Sequence, residues 1–261
     1  MIDSLYIGAT GMTTQQLAVD TIANNLANLS TPAYKKGRVV FEDLYVRELG
    51  RNVGAGADGL ALATRGVGLG SAVASSGKIF TDGTLQQSQN PLDVAIQGKG
   101  FMEVVLADGS PGYTRSGTLQ VNSDGFLTTP DGFLLNPSIQ IPSDAKDIVI
   151  DSTGKVMVGL PNQTSRDQVG QIELVNFINP GGLNPIGNNL YVATERSGEP
   201  ARGKAGDDGF GTISQGFTES SNVKLNDELV NLVVAQRAYE VNAKVIQASD
   251  EMLSISNNLR R

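Results

Sequence analysis

The 261-residue sequence contains no cysteine, no histidine and no tryptophan. Without cysteine there is no disulfide stapling, no thiolate nucleophile and no Cys-ligated zinc; without histidine the commonest general base and metal ligand are missing. Most hydrolase and metalloenzyme templates are thereby excluded. No apolar run approaches the ~18 residues of a membrane-spanning helix. The opening MIDSLYIGATGMTTQQ has neither the basic stretch nor the sustained apolar stretch of a Sec-type signal peptide, so export is expected to leave the N-terminus uncleaved. Positive charge is also short: 20 Lys+Arg against 27 Asp+Glu give a net charge of −7. That balance argues against nucleic acid and membrane insertion or anionic membrane surfaces as partners. The shortage is extreme at the start, where residues 1–34 carry only Asp3 and Asp20 as charges.

What is present is a chain whose two ends differ from its middle. From Ile2, apolar or small positions recur as Leu5, Ala9, Met12, Gln16, Val19, Ala23 and Leu26, spaced alternately by three and four, which predicts a coiled-coil-like helix ended by Ser30-Thr31-Pro32. At the other end Leu225, Leu229, Leu232, Gln236, Tyr239, Ala243, Ile246, Asp250 and Leu253 repeat the spacing, and Ser220-Ser221-Asn222 is expected to cap that helix. A second row, Val230, Val234, Val241, Val245, Ala248, Met252, Ile255 and Leu259, runs beside the first. Short alternating segments such as MEVVL, GTLQV and GQIELVNF fill the middle, with Asp-Gly pairs at Asp82, Asp108, Asp124 and Asp131 expected to make tight hairpin turns.

The expected fold is therefore α+β: N- and C-terminal helices (1–34 and 217–261) pairing as a coiled-coil-like domain, an extended connector with glycine loops (35–90), and an antiparallel, mainly β body (91–216). Within the connector, residues 42–65 are expected to reach a neighbouring subunit and restrain sliding. GAGADG at 54–59 matches a dinucleotide-binding string, but it follows charged sequence instead of a buried strand and reads as a loop. QVNSDGFLTTPD at 120–131 resembles a calcium loop only loosely, since Gln stands first and Asp last, and reads as a hairpin turn. No nucleophile elbow or phosphate loop occurs. The chain is expected to be no enzyme and to need no cofactor or metal.

Two apolar rows on one helix exceed what a simple intramolecular pair requires, so one row is expected to pair the ends of the same chain and the other to meet neighbouring subunits. Three asparagines, Asn24, Asn25 and Asn28, interrupt the first helix although their amides compete with helical hydrogen bonds. Carboxamides buried between helices can hydrogen-bond across a contact and fix its register.

The stretch ANNLANLSTPAYKK resembles the N-terminal signature of the bacterial flagellar rod and hook proteins. The similarity continues through DVAIQGKGFMEV (93–104), GYTRSGTLQVNSDGFLTTPDGFLL (112–135) and GFTESSNVKLNDELVNLVVAQRAYEVNAKVIQASDEML (216–253), and the length and FEDLYVRELGR are most similar to the distal rod branch. The resemblance implies a structural subunit of the basal-body rod crossing the periplasm, secreted through the flagellar type III export apparatus. It implies self-assembly into a helical, tubular drive shaft that transmits torque, with proximal rod and hook proteins and the surrounding basal-body rings as partners. A hook or proximal rod subunit, and a secreted β-rich adhesin with a coiled-coil stalk, are the alternatives. Asn24, Asn25, Asn28 and Thr31 belong to the signature, and with Leu5, Met12, Val19, Leu229, Val234, Tyr239, Val241 and Met252 they are the expected subunit-packing residues. Two departures from the family pattern stand out: Ala33-Tyr34 replaces Gly-Phe, which argues against a positive φ at position 33, and Phe101-Met102 replaces Phe-Phe, a volume-conserving core change.

Overall fold

A computed structural model describes residues 2–44, 46–48, 66–161 and 165–259. The fold is α+β, with a helix at each end and a mainly antiparallel β body. The chain divides into two compact units: the described parts of Met1–Leu26, Gly37–Ser76 and Leu225–Arg261, and those of Ala27–Lys36 and Gly77–Lys224.

In the first unit α1 (Ile2–Ala27) is followed by β1 (Gly37–Asp43), β2 (Val46–Glu48), β3 (Gly66–Gly68) and β4 (Ser71–Lys78), and the unit closes with α2 (Leu225–Asn258). β1 pairs with β4, and β2 pairs antiparallel with β3. Most of the 42–65 segment, including the 54–59 glycine loop, lies outside the described residues. The helices run antiparallel: Ser4 Oγ accepts a 3.2 Å hydrogen bond from Ser249 Oγ near one end, and Asn25 Nδ2 donates to Glu228 Oε2 at 3.2 Å near the other. Between these points α1 presents Gly8 and Gly11. A Cβ on Gly8 would lie 2.7 Å from Ile246 Cγ1, and one on Gly11 2.8 Å from Asn242 Nδ2, so a side chain at either position would displace its neighbour on α2.

α2 does not use the expected cap. It begins at Leu225, with Asp227 and Glu228 placing negative charge in the first turn, where the helix dipole favours it. Asn222 lies upstream and serves the β unit: its amide nitrogen donates to Ile79 O and to Thr81, and its Oδ1 accepts from Lys36 N at 2.7 Å.

The second unit holds β5 (Leu85–Gln87), β6 (Val94–Gln97), β7 (Phe101–Val105), β8 (Pro111–Thr114), β9 (Gln120–Val121), β10 (Leu127–Thr128), β11 (Leu134–Asn136), β12 (Asp147–Ile150), β13 (Lys155–Gly159), β14 (Arg166–Gln171), β15 (Glu173–Asn176), β16 (Asn184–Gly187), β17 (Leu190–Val192), β18 (Ala201–Lys204), β19 (Thr212–Gln215) and β20 (Phe217–Glu219). Its largest sheet runs β16-β17-β8-β7-β11-β10-β9, with β15 pairing both β7 and β18. β7 is covered on both faces because successive side chains point to opposite sides of a strand. Met102 enters an aliphatic core with Val94, Ile96, Leu127 and Leu174. Phe101 enters an aromatic one with Tyr113, Phe177 and Tyr191, where rings meet edge-to-face at centroid distances such as 4.8 Å for Tyr113–Phe177.

Of the four Asp-Gly pairs expected to make hairpin turns, three have glycine at positive φ, at Gly109, Gly125 and Gly132. In the 120–131 segment this is the β9–β10 turn, where Asn122 Oδ1 accepts from the Asp124 and Phe126 amides. The fourth pair differs from expectation. Gly83 is not in the left-handed region; glycine is needed there because a Cβ would sit 1.9 Å from Ser220 O. Position 33 also departs from expectation: Ala33 adopts φ 58°, is buried, and donates its N–H to Glu219 O at 2.7 Å. The left-handed turn is imposed by tertiary contact in spite of a Cβ that disfavours it by roughly 1–2 kcal/mol.

Candidate assembly surface

α2 is long and poorly covered by its own chain. Among its described residues only Glu228, Ala235 and Ser249 are fully buried, and Leu232, Ala238, Asn242, Ala243, Ile246 and Leu253 are half-buried. This inward face mixes aliphatic residues with small and polar ones. Of the first apolar row, Leu232, Ala243, Ile246 and Leu253 turn inward, whereas Leu225, Leu229, Gln236, Tyr239 and Asp250 are exposed. On α1 the bare backbone at Gly8 and Gly11 leaves room for Ile246 and Asn242, and Asn25 draws Glu228 into the contact.

The second apolar row is the exposed one. Val234 is 62% exposed, Val241 58% and Met252 50%, and Val230, Val245, Ile255 and Leu259 share their side of the helix. At about 100° per residue these positions fall within an arc of about 80°. An apolar strip of this length on a solvent-facing helix, interrupted by Arg237, has the composition of a contact surface.

On α1, Leu5, Met12 and Val19 are half-buried and Asn24 lies on the exposed side. Asn25 is 1% exposed and accounts for one of the puzzling carboxamides. Its Nδ2 donates to Gly37 O at 3.0 Å and its Oδ1 accepts from Gly37 N at 2.7 Å, pairing with that residue as a neighbouring strand would, and it also reaches Glu228. A buried amide with its donors and acceptor engaged favours this one register of α1, β1 and α2. Asn28 Oδ1 accepts from the Thr31 hydroxyl at 3.2 Å, and Thr31 N donates to Asn28 O, closing the turn that ends α1. The structure thus joins Asn25 to Glu228 and Asn28 to Thr31, and places Val234, Val241 and Met252 on one exposed face, with Leu229 and Tyr239 exposed elsewhere on the helix.

The most elaborate polar site was not singled out from sequence. Within the β unit, Lys35 (0% exposed), Arg115 and Glu219 (3% each) form a buried ionic cluster. Lys35 Nζ donates to Glu219 Oε1 and Thr81 O, at 2.7 and 2.8 Å. Arg115 Nε donates to Glu219 Oε2 at 2.8 Å, while its other nitrogens serve Gly100 O, Ile96 O, Gly98 O and Asp82 Oδ1. Gly83 N donates to Glu219 Oε1 at 2.7 Å. Burial alone would raise the Glu219 pKa, but Arg115 and Lys35 beside it and the Gly83 amide hold it below the ordinary carboxylate value. Burial depresses the Lys35 pKa despite Glu219. The cluster binds together the chain that has just left α1 and the chain about to enter α2, and Ala33 N→Glu219 O and Lys36 N→Asn222 Oδ1 reinforce it. Nothing in the local sequence around Lys35, Arg115 and Glu219 sets them apart from surface charges, since their partners are remote along the chain.

Three family models match the chain: Flagella basal body rod protein over residues 5–35, Flagellar hook protein FlgE/F/G D1 domain over 95–158, and Flagellar basal body rod FlgEFG protein C-terminal over 214–259. The chain is similar along its whole length to curated proteins named Flagellar basal-body rod protein FlgG. Identity is 41% to that of Caulobacter vibrioides, over 99% of this chain and 100% of the relative. It is 43% to that of Borreliella burgdorferi and 39% to that of Bacillus subtilis, each over 100% of both chains.

Proposed function

The chain belongs to the flagellar basal-body rod protein family, and from that membership we infer its role: it is a structural subunit of the distal rod in the flagellar basal body, not an enzyme. The observation that carries this is the end-to-end similarity to curated rod proteins, which leaves no segment of the chain unaccounted for and does not favour a hook, proximal rod or adhesin role. As a rod protein it assembles with other rod, hook and basal-body components.

The proposal extends to how it assembles. Copies stack helically into a tube that passes torque from motor to hook, and the subunits arrive unfolded and uncleaved through the flagellar export apparatus. The terminal helices pair as a coiled-coil-like wall, with Val234, Val241 and Met252 seated against neighbouring copies and Leu5, Met12, Val19, Leu229 and Tyr239 completing the packing. What supports this is the exposed apolar strip on α2. Fully burying a Val, Ile or Met side chain yields about 1.5–3 kcal/mol, so covering half-exposed ones recovers about half of that at each position, repeated along the tube. Asn24, Asn25, Asn28 and Thr31 set the end of α1 and so the register of that wall.

Deletion of the gene, with and without complementation, tests the role. Basal bodies isolated from the deletion strain should carry a rod that stops short and no hook, and complementation should restore both. Full-length rods in the deletion strain would overturn the assignment.

A further inference from the structure

A cleft of about 320 Å³ opens in the β unit between the segment that follows α1 and the β16–β17 hairpin. Its walls include Asn28, Thr31, Tyr34, Lys78, Asn188 and Tyr191. The cleft is held open by its own framework. Asn188 and Asn189 both take positive φ in the hairpin turn, 51° and 56°, and Asn189 Nδ2 donates to Pro32 O at 3.0 Å, fastening the hairpin to the signature segment.

Its chemistry is that of an anion site. The Lys78 ammonium stands 4.1 Å from the centroid of the Tyr34 ring and forms no salt bridge to a described carboxylate. Half-buried there, it is held by desolvation below the ordinary lysine pKa, a condition that a bound carboxylate would relieve. Tyr191, 2% exposed, makes no side-chain hydrogen bond among the described residues, and burial pushes its phenol up so that it remains a donor at neutral pH. A half-buried cation beside an uncommitted phenol and an asparagine amide is a set of donors without an acceptor.

We propose that this cleft receives an aspartate or glutamate side chain from a second copy of the chain, with Lys78 as its counter-ion and Tyr191 and Asn188 as hydrogen-bond donors. Charge complementarity favours that occupant: the chain carries 27 acidic residues against 20 basic ones, so an adjoining copy presents carboxylates in excess. The volume accommodates one side chain with room for water. The proposal rests on the rod-subunit reading, because it requires neighbouring copies. It adds a polar, register-setting contact on the β unit to the apolar contact of α2, since a charge pair that closes only in one alignment penalises sliding.

The test uses rods assembled from an equal mixture of isotopically light and heavy protein. A carbodiimide that joins amines to carboxylates in direct contact is applied to rods and to monomer, and Lys78 peptides are read by mass spectrometry. The expected result is a light–heavy cross-link from Lys78 to an Asp or Glu in rods, loss of Lys78 reactivity toward an amine-labelling reagent on assembly, and full reactivity in monomer with or without acetate. Rods in which Lys78 stays reactive, or cross-links only within its own copy, would overturn the carboxylate site while leaving the rod role standing. Protection of monomeric Lys78 by acetate would show a free-anion site and overturn the second-copy occupant. If no rods form, the rod-subunit reading fails and this inference falls with it.

Discussion

Replacing Glu219 by glutamine probes the junction most sharply, because it changes charge with almost no change of shape. In the native cluster one carboxylate accepts from Lys35 Nζ, Arg115 Nε and Gly83 N, all at 2.7–2.8 Å, and none of the three charged side chains is more than 3% exposed. A glutamine amide has one acceptor oxygen and must turn its NH2 toward one of the two cations. Arg115 keeps Asp82, which stands at the rim with 57% of its side chain exposed, but Lys35 keeps only Thr81 O. Removing one partner of a buried pair costs about 3–5 kcal/mol. Against a usual domain stability of about 5–15 kcal/mol that is a large share. With a urea slope of about 2 kcal/mol/M it should move the unfolding midpoint of the β unit down by about 2 M. The pH dependence carries a second signature. Glu219 has a folded pKa below its ordinary value, so its contribution is complete above that value and is lost as pH falls through the folded pKa; Glu219→Gln should lack this acid loss. Lys35 has a folded pKa below 10.5, so between that lowered pKa and 10.5 the unfolded chain binds more protons and stability rises with pH. Without Glu219 this window widens downward, and the gap between variant and wild type should narrow in alkali. Urea titrations of monomer across pH, followed by tyrosine fluorescence and circular dichroism, provide the measurement. A loss below about 1 kcal/mol at neutral pH, or unchanged acid sensitivity, would refute the reasoning.

Gly8→Leu should weaken the α1–α2 contact by about 1–3 kcal/mol, the usual range for overpacking, seen as faster amide exchange around Ile246; unchanged exchange would mean that the glycine approach is not a stabilising contact. Ala33→Val should destabilise the β unit by more than about 2 kcal/mol, since a β-branched residue at positive φ is strongly strained and this one would also be buried; thermal unfolding within a degree of wild type would contradict it. α2 in verified monomer should exchange its amides much faster than β7 and slow down sharply in assembled rods, because so few of its residues are buried within the chain; equal protection of α2 and β7 in monomer would count against an intersubunit role for the helix.

Both helices and the antiparallel body were legible in the sequence because they depend on local periodicity: three-four spacing at the ends, alternation and Asp-Gly turns between. The turn at Thr31-Pro32 was legible for the same reason. What was not legible depends on partners remote in sequence. The inward face of α2 is fixed by Gly8, Gly11 and Asn25, residues that precede it by most of the chain, so the heptad spacing alone does not show that Glu228, Ala235, Asn242 and Ser249 share that face with Leu232, Ile246 and Leu253. Ala33 takes a glycine-like conformation because Glu219 O holds its amide. Glu219, Lys35 and Arg115 look like ordinary surface charges until the fold brings them together.

Val241→Asp tests directly whether the exposed row of α2 is an intersubunit surface. In monomer residue 241 is 58% exposed, so an aspartate there costs little. In the tube each copy would bury an unpaired carboxylate, at several kcal/mol per interface. Electron microscopy of basal bodies from a strain carrying only Val241→Asp should show normally exported protein, a rod that ends before the distal segment, and no hook. Distal rods of ordinary length and straightness in that strain would contradict it.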